Sequence, residues 1–172
     1  DADIPVSLII EDPAGNASNE FTTAISQQND PVDSTSPVIS SVSIPDLEMG
    51  VGDTVTVTLT VADDAGDIYT NLIGTVGDYD LSNLTRIDST TYTAVFTVAE
   101  GDNNIVAGDD ISVALTIDDS VGNTSDQFTT SISQANDPID ANGPVITGLS
   151  IPNVPMKIGD IVTLTITVED DG

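Results

Sequence analysis

From Thr54 to Val61 polar and apolar residues alternate strictly, with Val55, Val57, Leu59 and Val61 on one face and Thr54, Thr56, Thr58 and Thr60 on the other. Successive side chains of an extended chain point to opposite sides, so the pattern predicts a half-buried β-strand. The same period turns Tyr92, Ala94, Phe96 and Val98 inward in one segment and Ile111, Val113, Leu115 and Ile117 inward in another. Shorter runs at 38–44, 69–76, 82–88 and 127–133 bring the total to about seven strands, separated by clusters of Asp, Gly, Asn and Ser. No segment holds a helical period. Seven short strands in about 100 residues predict an antiparallel Greek-key β-sandwich. Lacking cysteine and tryptophan, it is immunoglobulin-like in architecture only.

The chain repeats itself. Laid over residues 108–172 at a fixed offset of 107, residues 1–65 match at 35 of 65 positions without a gap. EDPAGNASNEFTTAISQQNDPVD at 11–33 returns as DDSVGNTSDQFTTSISQANDPID at 118–140, and PVISSVSIP at 37–45 returns as PVITGLSIP at 144–152. A period of this length fits one sandwich domain. The expected organisation is the C-terminal part of one repeat at 1–33, a complete repeat at 34–140 and the N-terminal part of the next at 141–172. With no initiator methionine, signal peptide or long apolar run, the chain reads as a window on a longer array.

Charge narrows the function. Of 172 residues 29 are acidic and two, Arg86 and Lys157, are basic, for a net charge of -27. Nucleic acid and anionic lipid are recognised through released counterions and basic side chains, so both are excluded as partners. Without His or Cys, nucleophile–imidazole catalysis and thiolate metal sites are excluded as well. A hydrophobic fraction of 38%, rich in β-branched residues, predicts a folded chain rather than an acidic tail.

Between residues 34 and 140 stand 18 acids and one arginine. Carboxylates crowded into neighbouring loops repel one another, and a divalent cation reverses that. Calcium takes about 6–8 oxygen ligands and suits Asp/Asn/Gly loops, in extracellular modules at about 10⁻⁴–10⁻³ M. One end of the domain is expected to gather the loop Asp63, Asp64 and Asp67, the hairpin Asp118, Asp119, Asn123 and Asp126, and the incoming linker Asn29, Asp30 and Asp33. The outgoing linker, Asp137 and Asp140, would meet Asp170 and Asp171 in the same way. These residues, Asp67 excepted, form the expected set of structural calcium ligands. At the other end lie Asp46, Glu48, Asp53, Asp78, Asp80, Glu100, Asp102, Asp109 and Asp110.

Other readings stand beside this one. Asp and Asn also form turns on a solvated acidic surface. Paired carboxylates serve glycosidases, but here without an aromatic sugar platform, and no enzyme activity is expected. The outward threonine rows suit a carbohydrate- or ice-binding face, or simply a wet strand. Lateral contacts could build an S-layer or filament. Asn16, Asn83 and Asn123 begin Asn-x-Ser/Thr sequences.

DDSVGNTSDQF with its counterpart EDPAGNASNEF, YTAVFTV before AEGDN, and the NDPVD and NDPID linkers resemble the tandem bacterial immunoglobulin-like extender repeats of giant calcium-dependent surface adhesins, including those of the RTX type. The resemblance covers the whole chain. It implies a structural spacer of a secreted or cell-surface fibre, outside the cell, in which calcium stiffens domains and linkers. The implied partners are neighbouring repeats of the same chain and, in a fibre, other copies. No membrane insertion is expected of this segment.

Overall fold

The computed structural model describes residues 3–26, 32–62, 67–133 and 138–169. The chain is all-β, and no helix forms among these residues. It divides into two compact units, Asp1–Ser34 and Thr35–Gly172. The sequence places its first boundary between 33 and 34, and its third segment falls within the second unit.

Among the described residues of the second unit eleven strands follow in order: β1 (Ile39–Ser43), β2 (Met49–Gly50), β3 (Thr54–Val61), β4 (Tyr69–Val76), β5 (Tyr79–Asp80), β6 (Ser82–Arg86), β7 (Thr91–Thr97), β8 (Val113–Asp119), β9 (Ile139–Asp140), β10 (Ile146–Ser150) and β11 (Thr165–Val168). One sheet has the order β1-β3-β7-β6 and a second β5-β4-β8. Every neighbour in both is antiparallel. Val55, Val57, Leu59, Tyr92 and Phe96 from the first sheet and Val76, Val113, Leu115 and Ile117 from the second share one buried cluster, a sandwich arrangement. The alternation read from the sequence is the reason, because it aims one row of each strand at the facing sheet.

The three tyrosines do more than fill this core. Tyr69 and Tyr92 pack with ring centroids 5.4 Å apart, and the Tyr92 hydroxyl accepts from the Tyr69 N–H at 3.2 Å. The Tyr69 hydroxyl donates to the Ala62 carbonyl at 3.1 Å, tying the loop after β3 to the core. Tyr79 stacks on Phe96 at 4.7 Å and donates to the Asn103 carbonyl at 2.7 Å. Each phenol thus gives its polar end a partner, a loop carbonyl for Tyr69 and Tyr79 and a strand N–H for Tyr92, while burying its ring.

Two features depart from the simple pattern. The short β2 and β9 pair in parallel, Met49 with Ile139 and Gly50 with Asp140. The expected strand at 127–133 is reduced to isolated bridges, Ile111 with Ile132 and Leu115 with Phe128, followed by Asp118 with Thr124. Between the last two the register shifts, because the Ile117 N–H donates to Ser125 Oγ at 3.0 Å in place of a carbonyl.

β10 and β11 form a separate two-stranded sheet. Their pairing, Ile146 with Val168 and then Gly148 with Thr167 through Ser150 with Thr165, matches that of β1 with β3 position by position at the 107-residue offset, irregularity included. In the first unit, Ile4 with Ile25, Leu8 with Phe21 and Glu11 with Ala17 repeat the three bridges along β8 at the same offset.

Candidate metal centre

At one end of the sandwich the turn after β8 is built around a single carboxylate. Asp119 Oδ1 accepts the N–H groups of Val121, Gly122 and Asn123 at 2.9, 2.7 and 2.8 Å, and Oδ2 accepts Asn123 Nδ2 at 2.8 Å. Gly122 has φ +98°, a conformation glycine adopts without strain. Asp12 organises the corresponding turn of the first unit through Ala14, Asn16 and the Asn16 side chain. Asp119 is almost wholly buried. Burial alone would raise its pKa, but the bonds from the Asn123 side chain, Asn123 N–H, Val121 and Gly122 together hold it below the ordinary carboxylate value. The residue therefore stays charged in an enclosed place.

Facing it is Asp67, just before β4. The register of β4 on β8 sets Tyr69 opposite Asp119, so the residue two before Tyr69 reaches the same turn. Carboxylate oxygens of Asp67 and Asp119 lie within 4.8 Å of each other. Thr35, where the second unit begins, also reaches this turn, its carbonyl accepting Asn123 Nδ2 at 3.3 Å. Two anionic oxygens at this separation repel, and a hard cation with oxygen ligands turns the repulsion into coordination.

The expected ligands are distributed unevenly. Asp119 and Asn123 belong to this turn. Asp118, next in sequence, faces away and accepts Asn71 Nδ2 at 2.8 Å. That bond and the Thr124 hydroxyl hold its pKa down, against burial and the Asp119 charge. Asp126 is exposed and lines a separate groove of about 300 Å³ with Pro37, Ile39 and Phe128. Asp33 is half-buried near the end of the first unit. Asn29, Asp30, Asp63, Asp64, Asp137, Asp170 and Asp171 lie outside the described residues. The sequence reading left Asp67 out of the ligand set, because only the strand register of Tyr69 on Asp119 brings it to the turn.

Asp140, in the outgoing linker, accepts the Asn142 N–H at 3.1 Å. That linker is held by protein groups. Ala141 N–H donates to Asn104 Oδ1 at 2.7 Å, Gly101 N–H to the Ala141 carbonyl at 2.8 Å, and Gly143 N–H to both Glu100 oxygens at 3.2 Å. Nearby, Asp78, Asp80 and Asp102 border an open cavity of about 400 Å³. Burial and then the Asp102 charge push the Tyr79 phenol up, a sign of the negative potential there.

No protein-family model matches this chain, and comparison with curated proteins finds no relative.

Proposed function

We propose that this chain is a structural spacer of a secreted or cell-surface bacterial adhesin or fibre, built of immunoglobulin-like repeats and stiffened by calcium. The observation that carries the reading is the approach of Asp67 to Asp119 within 4.8 Å at the end of the sandwich where the incoming linker arrives. In this proposal a calcium ion binds between them and ties the loop before β4 to the turn after β8.

Calorimetry of the 172-residue chain in calcium, magnesium and EGTA at one ionic strength tests this. A ligand bound only by the native state stabilises it by about 2.7 kcal/mol per site at a hundredfold excess over Kd. Calcium should raise the melting temperature well above magnesium, and an unchanged melt in EGTA would refute the reading.

A second reading, a carbohydrate- or ice-binding face, draws on the outward threonines. Thr54, Thr58 and Thr60 of β3 stand opposite Thr97, Thr93 and Thr91 of β7. Binding abolished by a bulky residue at Thr58 and indifferent to calcium would favour it.

A further inference from the structure

We propose that Asn142, in the linker that follows β9, is a modification site at which the chain closes a succinimide on itself, and that Glu100 restrains the reaction. The proposal stands whether or not a metal binds.

Asn142-Gly143 is the one Asn-Gly pair among 172 residues. A succinimide forms when the backbone nitrogen of the next residue reaches the asparagine side chain, and only glycine leaves that path without a Cβ in the way. Elsewhere a bulkier residue follows asparagine, as Leu84 follows Asn83 and Thr124 follows Asn123. The side chains of Asn71, Asn104 and Asn123 are also held by hydrogen bonds, and among the described residues none holds that of Asn142. At the offset of 107 the pair becomes Thr35 and Ser36, so the incoming linker lacks the site.

The reaction balances without a cofactor. Gly143 N bonds to Asn142 Cγ as it gives up its proton, and the side-chain nitrogen takes that proton and leaves as ammonia. Water then opens the ring, its hydroxyl going to one carbonyl carbon and its hydrogen to the ring nitrogen. Aspartate or isoaspartate is left at position 142.

Glu100 opposes the first step. Gly143 N–H donates to Glu100 Oε1 and Oε2, both at 3.2 Å. A carboxylate on that N–H holds the proton in place, and its charge disfavours the amide anion. A Cβ on residue 143 would lie 3.1 Å from Glu100 Oε2, so the glycine that exposes Asn142 to attack also lets the carboxylate close. A new carboxylate at 142 would stand beside Asp140, whose Oδ1 accepts the N–H of that residue at 3.1 Å, and next in sequence to the N–H that Glu100 holds. Repulsion then works against the Glu100 bonds, and isoaspartate adds a methylene to the main chain as well. Modification therefore loosens the linker irreversibly.

Incubating the 172-residue chain and its Glu100→Gln and Glu100→Ala variants in mildly alkaline buffer, with and without urea, tests this by tandem mass spectrometry that locates aspartate and isoaspartate. In the folded parent Asn142 should react ahead of every other asparagine, yet about three- to tenfold more slowly than in urea, the worth of one hydrogen bond. Glu100→Ala should recover most of that factor, and Glu100→Gln, which keeps an acceptor without the charge, should fall between. The rate at Asn123 and the near-UV signal of Tyr69, Tyr79 and Tyr92 check the fold, and if Glu100→Ala fails them the Gln variant decides. Another asparagine reacting first in the folded parent overturns the site, and equal rates at Asn142 in parent and variants overturn the role of Glu100. Asn142→Asp should speed hydrogen exchange at Gly143 and Gly101, and unchanged exchange there overturns the loosening.

Discussion

Asn123 donates its side-chain amide to Asp119 Oδ2 at 2.8 Å, which leaves the carboxylate of that turn bonded on both oxygens. The same amide reaches the Thr35 carbonyl, so one side chain ties the turn to the start of the second unit. Asn123→Ala should lower the melting temperature and speed hydrogen exchange at Val121, Gly122 and Asn123. Asn123→Asp should be worse in EGTA, setting a second charge against Asp119, and should recover in calcium. Equal melts for the parent and Asn123→Ala would show that the turn holds without the amide.

Acid should weaken the fold through a few identifiable carboxylates. Asp12, Asp88, Asp118 and Asp119 are all held below their ordinary value of 3.8 by hydrogen bonds. A depressed folded-state pKa contributes stability that is fully present above the unfolded value and is lost as pH falls through the folded one. The loss should therefore begin near pH 4 and deepen below it. The melting temperature should hold from pH 7 to about 5 and then drop. Asp119→Asn should flatten the drop, and a monotonic rise down to pH 2 would contradict the assignment.

The legible part of the fold was the part governed by alternation. Residues 54–61 show their buried row directly, and β7 and β8 follow by the same period. What alternation cannot show is the partner of a polar side chain. The bulge at Ser125 depends on a hydroxyl entering the ladder, and no hydrophobic pattern records that. The parallel pairing of β2 with β9 rests on two residues in each strand, too few to carry a period. Clustering of acids near loops was visible as composition, whereas the choice of Asp67 follows from Tyr69 standing opposite Asp119. Adjacent residues in a strand point to opposite faces, so Asp118 accepts Asn71 Nδ2 while Asp119 organises the turn.

Neutralising Asp67 should have opposite effects with and without calcium. Asp67→Asn keeps a polar side chain of the same shape and removes one of two charges held within 4.8 Å. In EGTA the variant should melt at or above the parent temperature, because repulsion is gone. In saturating calcium it should melt below the parent, with most of the calcium-induced rise lost. A rise of the same size in both proteins would remove Asp67 from the site.

Gly74 is the position in β4 least able to change. Its φ is +120°, and a Cβ there would sit 1.8 Å from the Ala114 carbonyl oxygen on β8. Nothing flexible can yield, since the obstacle is backbone. Gly74→Ala should therefore part β4 from β8 locally and cost about 1–3 kcal/mol or more. Urea unfolding followed by tyrosine fluorescence would measure it, and a midpoint within error of the parent would contradict the close approach of the two strands.

Leu59 and Ile166 occupy matching positions at the 107-residue offset but opposite environments, so the same truncation should separate them. Leu59 is packed between the sheets, and its replacement by alanine removes contacts on all sides and leaves a cavity, at a cost of about 2–5 kcal/mol. Ile166 has half its surface in solvent and is not part of the buried cluster. Ile166→Ala should change the unfolding of the dilute chain by no more than about 0.5 kcal/mol. Equal costs for both truncations in dilute solution would mean that the β10–β11 ribbon is buried within a single chain.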